Sequence, residues 1–127
     1  MRIQTLAISA ALATLATAAP ALAIVNPLVA QIVPLGGSSV RGNATFFQLG
    51  SNIEVGLNLT GNATAGAADI RKGTCKSYAG SATMPLGVSQ DTRLSNLKLE
   101  QLNGDVLLIH KTSSVTSPAV GCAEIKG

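Results

Sequence analysis

The feature that most constrains this chain is a period-two alternation. Ile53, Val55, Leu57 and Leu59 are apolar, while Glu54, Gly56, Asn58 and Thr60 between them are polar or small. A residue pattern of period two puts one set of side chains on each face of an extended chain, so this stretch reads as a strand with one face buried. Gly50-Ser51-Asn52 is a turn signal, and residues 40–49 read as the hairpin partner, with Phe46 or Phe47 turned inward. Gly61-Asn62 ends the second strand. Further strands are expected at 67–71, at 82–88 (weakened by Pro85), at 106–110 after a turn at Asn103-Gly104-Asp105, and at 119–125. Leu94, Leu97, Leu99 and Leu102 fit either a strand or a short helical turn. Many short strands with glycine-rich turns predict an all-β sandwich or barrel.

The N-terminus carries a different signal. Arg2 is followed by an uncharged, alanine-rich run over 6–19 and then by Pro20-Ala21-Leu22-Ala23, the small-x-small ending of a secretory signal of bacterial type. Cleavage after Ala23 is expected; the alternative is a retained N-terminal anchor, for which the run is short and alanine-rich. The domain division is therefore signal peptide 1–23 and one folded domain 24–127, with no membrane span after cleavage. Residues 24–35 are again apolar and are expected to form the first strand, docked on an edge of the barrel. The chain's net charge of +3 falls by one when Arg2 leaves with the signal.

Composition excludes several function classes. Only 12% of the 127 residues are charged and 46% are hydrophobic, so a charge-rich disordered chain is excluded. Two phenylalanines, one tyrosine and no tryptophan put a stacking platform for bases or sugars at a disadvantage. The basic residues are scattered. Only Arg71, Lys72 and Lys76 come close together, and they read as a solvated loop, so no nucleic-acid partner is expected. One histidine and two cysteines cannot make a four-ligand zinc site. In an exported chain Cys75 and Cys122 most simply form one disulfide; free thiols or an intermolecular bridge are the alternatives. Asn43, Asn58 and Asn62 open Asn-x-Thr sequons, read here as polar strand and turn residues. No Gly-x-Ser-x-Gly elbow, paired carboxylates or phosphate-binding loop is present.

Taken in order, the segments resemble copper/zinc superoxide dismutase or the related chordin-type domain over residues 38–127. Val40-Arg41-Gly42 with Phe46 and Gln48, then Ile53-Glu54-Val55-Gly56-Leu57 and Gly61, looks like that family's opening hairpin. Ala68-Asp69-Ile70-Arg71-Lys72-Gly73-Thr74-Cys75 occupies the place of its His-x-His, glycine and cysteine. Leu107-Leu108-Ile109-His110-Lys111 resembles a strand ending in a copper-binding histidine. Val120-Gly121-Cys122-Ala123-Glu124-Ile125 resembles the closing strand, whose cysteine bridges back to the first.

The resemblance implies a Greek-key β-barrel or sandwich of seven to eight antiparallel strands with one disulfide. It does not bring the chemistry. The former ligand slots hold Asp69 and Arg71, and a guanidinium has no lone pair for a metal. The zinc-loop histidines have no counterpart, and Ala119 stands where the guiding arginine belongs. His110 alone remains, a weak candidate for a metal; an ordinary structural imidazole is the simpler reading. Asp69 and Arg71 are expected to form a charge-paired surface patch, to each other or to Lys111 or Glu124. No cofactor and no catalytic residue is assigned. The expectation is an exported, periplasmic or secreted, non-catalytic binding or structural module with an unspecified protein or small-molecule partner. The alternative is a weak copper-binding or residual dismutase protein using His110.

Overall fold

The computed structural model describes residues 27–60, 66–88 and 90–126. The expected signal peptide, its cleavage point and Asn62 lie outside these residues. The described chain is all-β. Its elements are β1 (Leu28–Pro34), β2 (Arg41–Leu49), β3 (Asn52–Thr60), β4 (Ala67–Lys72), β5 (Met84–Leu86), β6 (Thr92–Leu94), a 3-10 turn (Leu99–Leu102), β7 (Asp105–His110) and β8 (Ala119–Ile125).

The strands form one antiparallel sheet in the order β5-β4-β7-β8-β1-β2-β3-β6, curled into a nearly closed Greek-key barrel. β2 and β3 pair over nine positions, from Arg41 opposite Thr60 to Leu49 opposite Asn52. This is the hairpin that the alternation predicts. The free edges are β5 and β6, three residues each, and β5 carries Pro85, which lacks an N–H to offer a passing strand. Short edges with proline resist edge-to-edge association. The link between them is tied by the Gly87 N–H, which donates to Thr92 Oγ1 at 2.7 Å.

β1 is not an edge strand. Leu28 to Ile32 pair with β2, and Val33 and Pro34 pair with β8. The strand bends from one half of the barrel to the other, burying Ala30 and Ile32 between them. The sequence suggests an edge because a short apolar run reports burial but not how many neighbours it pairs with.

The interior is filled by Ala44, Phe46, Ile53, Val55, Ile70, Leu107, Ile109 and Ile125, all at most 1% exposed. Phe46 points in and Phe47 points out, as period two requires of neighbours. Leu94 belongs to β6, whereas Leu102 is delivered by the 3-10 turn and is fully buried. Of the four ambiguous leucines, Leu94 lies in a strand, Leu99 and Leu102 lie in the 3-10 turn, and Leu97 lies in the link between them. Gln48 holds that turn in place. Its side-chain N–H groups face the carbonyls of Gly50, Asn52 and Leu97, each at 3.0 Å, and its Oε1 accepts from the Leu99 N–H at 2.8 Å. Gly42 is required by close approach: its φ is +142°, and a Cβ there would lie 1.9 Å from the Asn58 carbonyl oxygen.

β7 is buried on both faces along all six residues. Leu107 and Ile109 face the barrel interior, while Val106 and Leu108 pack outward with Cys122 beneath Leu35, Cys75 and Ala119. The Cys75–Cys122 disulfide spans 47 residues with a Cα–Cα distance of 5.9 Å and pins a loop over this outer layer. On the chain-entropy model its removal costs about 4 kcal/mol. We expect the Cys75→Ala/Cys122→Ala protein to lose stability by that order in urea unfolding; a midpoint unchanged from the native protein would contradict it.

Candidate functional site

The outer face of β4, β7 and β8 carries the chemistry-bearing side chains. Asp69 and Arg71 are two apart on β4 and share that face, because Ala68 and Ile70 between them fill the core. β7 contributes Val106, Leu108 and His110. β8 contributes Cys122 and Glu124. Two loops lie over them, residues 73–83 and residues 111–118. The first turns at Gly73 (φ +126°), where a Cβ would meet the Ser77 carbonyl oxygen at 2.4 Å. An irregularity in the β7–β8 register between Ile109 and His110 marks the strand end. Such breaks re-aim side chains, and His110 reaches Asp69 although its strand partner on β4 is Ala67.

Three residues form one buried cluster. Arg71 Nε lies 2.9 Å from Asp69 Oδ1 and Arg71 Nη2 lies 3.1 Å from Oδ2, a bidentate fork. Arg71 Nη1 donates to the carbonyls of Ala79 (3.3 Å) and Gly80 (3.1 Å), and Nη2 donates to the carbonyl of Val115 (2.9 Å). A guanidinium has five N–H donors, and these contacts occupy all five. The Tyr78 ring centroid is 5.9 Å from the Arg71 guanidinium carbon. The Asp69 hydrogen bond, with its charge, raises the Arg71 pKa against the opposing effect of burial.

His110 completes the cluster. Its Nε2 faces Asp69 Oδ2 at 2.8 Å and its Nδ1 faces the Ser117 carbonyl oxygen at 2.9 Å. Asp69 is fully buried, His110 is 2% exposed and Arg71 is 6% exposed.

This corrects two expectations. Asp69 and Arg71 do pair, but beneath two loops, not as a solvated surface patch. Arg71 likewise leaves the basic trio: Lys72 and Lys76 are exposed, and Arg71 is not. Neither Lys111 nor Glu124 joins the cluster. Glu124 Oε2 accepts the Cys75 N–H at 3.1 Å and Glu124 Oε1 pairs with Lys126 at 3.5 Å. The Cys75 N–H lowers the Glu124 pKa, partial desolvation opposes it, and Lys126 and Lys76 add to the lowering. A depressed carboxylate supports the fold above its ordinary range, and this tie weakens as the pH falls through the lowered value. Glu124 lies two residues after Cys122, on the same strand face, which was the available clue to its role. The carbonyls of Ala79, Gly80, Val115 and Ser117 had no sequence signal, since any residue type supplies a carbonyl.

The arrangement is chemically closed. A metal at His110 would have to displace either Asp69 or Ser117 from the ring. Arg71 cannot ligate, and among the described residues no group of three His, Cys, Asp or Glu side chains is placed to hold a metal. Nucleophilic catalysis needs a hydroxyl facing the imidazole. The hydroxyls of Thr112, Ser114, Thr116 and Ser117 are instead used within loop 111–118: Ser117 Oγ donates to the Ser114 carbonyl at 2.6 Å, Thr112 Oγ1 accepts from the Ser114 N–H at 3.2 Å, and Ser114 Oγ and Thr116 Oγ1 lie 2.7 Å apart. Beside the disulfide runs an open groove of 340 Å³ lined by Gln31, Val33, Cys75, Cys122, Glu124 and Lys126. Among the described residues no helix is long and apolar enough to cross a membrane. No family model, no curated protein and no solved structure matches the chain.

Proposed function

We propose that this chain is an exported, non-catalytic binding or structural module, built on a frame like that of copper/zinc superoxide dismutase or the chordin-type domain, with the metal chemistry replaced. The observation that carries this reading is the closed cluster. Arg71 spends every donor and His110 spends both nitrogens on holding the protein itself. Its ties run to both loops, to Ala79 and Gly80 in one and to Val115 and Ser117 in the other. The cluster therefore acts as a brace for two exposed loops and leaves no open coordination position. The paired loops, with the exposed Tyr78 and Val115, are the candidate contact surface. The Greek-key barrel, the disulfide between the family's two cysteine slots, and the convergence of Asp69, Arg71 and His110 beneath the loops support the family reading.

The test is metal content, by elemental mass spectrometry, after copper and zinc loading and dialysis against a weak chelator. Copper and zinc far below one per chain are expected. Copper near one per chain, lost in His110→Ala, would overturn the proposal in favour of a copper protein. The same preparation, recovered from the periplasm or medium, should have the mass of residues 24–127 less two hydrogens.

A further inference from the structure

We infer that the proton on His110 is a latch for loop 111–118, holding the loop when the imidazole carries two protons and loosening it when one leaves. This rests on the cluster being a brace and not a metal centre. Both atoms facing the ring are acceptors. The Ser117 carbonyl lies 2.9 Å from Nδ1, and Asp69 Oδ2, which also accepts from Arg71, lies 2.8 Å from Nε2. A neutral imidazole has one N–H and one lone pair. Only the doubly protonated ring donates to both partners. In the neutral ring one of the two contacts sets lone pair against lone pair. Turning the ring over replaces both nitrogens by carbons, and at 2% exposure there is no room to swing it into water.

The chemistry decides which contact fails. A hydrogen bond to a carboxylate is stronger than one to a neutral carbonyl. The remaining proton therefore stays on Nε2, facing Asp69, and the Ser117 tie is lost. The groups around the ring are few. β4 presents Asp69 in contact and Arg71 behind it, and Tyr78 from loop 73–83 lies over Arg71. β8 presents Ala119 opposite His110. Lys111, next along the chain, is exposed. Ser117 is central to the loop: its hydroxyl accepts the Thr112 N–H at 3.1 Å, and its own N–H donates to the Ser114 carbonyl at 3.0 Å. Freeing its carbonyl loosens the loop locally, while Arg71 still holds Val115. The loop is held while both ring nitrogens carry protons and loosens when the Nδ1 proton leaves.

The chain contains a single histidine, so its ring signals need no assignment. Long-range ¹H–¹⁵N spectra of the metal-free mature protein, taken across the range of about pH 5–8 where histidine charge changes in proteins, report protons on each nitrogen. Amide exchange of Lys111, Thr112 and Ser117, corrected for the intrinsic pH dependence, reports the loop; Leu108 in β7 is the reference. Two ring protons at the acidic end are expected, then one on Nε2, with loop exchange rising roughly fivefold, the equivalent of one net hydrogen bond. His110→Gln should abolish that step. A ring with one proton throughout, a flat loop profile, or Leu108 opening together with the loop would each overturn the latch. The ring spectra need no variant. Copper binding is read separately, so the brace reading and the latch fail in different experiments.

Discussion

Deletion of residues 28–34 is expected to abolish cooperative unfolding. Among the described strands, β1 alone carries ladders to both halves of the barrel: it pairs with β2 through Leu28 to Ile32 and with β8 through Val33 and Pro34. On the other side of the barrel β5 and β6 are sheet edges, joined by chain and not by a ladder. Without β1 the sheet separates into β5-β4-β7-β8 and β2-β3-β6. The deletion also removes the Ala30 and Ile32 side chains from the core and uncovers parts of β2 and β8. The combined loss is comparable to the whole net stability of a domain this size, about 5–15 kcal/mol. Circular dichroism during a urea titration should then show no sigmoidal transition. A retained transition with only a lowered midpoint would mean that β1 behaves as a dispensable edge.

Asp69→Ala is expected to destabilise the fold by about 3 kcal/mol, the lower end of the range for breaking a buried ion pair, because the cluster lies one layer beneath the loops and not at the barrel centre. The physical reason is the residue left behind. Arg71 keeps its position, 6% exposed, with two of its five donors unmatched, and His110 Nε2 loses its carboxylate partner. Arg71→Ala should cost a similar amount, since Asp69 then stays fully buried with His110 as its one remaining side-chain partner. The double variant should cost clearly less than the sum, because removing both charges removes the unpaired one. The expected coupling is about 2 kcal/mol, within the range for contacting residues. Equilibrium urea unfolding of the four proteins closes the cycle. Additive losses would show that the pair is effectively solvated, as the sequence alone suggested.

Much of the barrel was legible because its determinants are local. The alternation from Ile53 to Leu59 could only bury one face as a strand, and Gly50-Ser51-Asn52 set where the hairpin turned. The run Val106 to Ile109 announced an apolar strand, and the structure covers it on both faces, as apolar residues at both parities require. Two cysteines, in a chain whose first residues read as an export signal, pointed to the bridge that the structure contains.

What lay beyond the sequence was set by distance along the chain. β1 could be recognised as a strand, but its place between β2 and β8 depends on how the barrel closes. Asp69 and Arg71 could be seen to share a face. Whether that face met water depended on loops contributed by residues 73–83 and 111–118, and the acceptors there are backbone carbonyls that leave no trace in residue identity. His110, Asp69 and Arg71 were each visible by name and chemistry. Only the tertiary structure decided that they would close on one another, because packing sets which donors and acceptors are left without water.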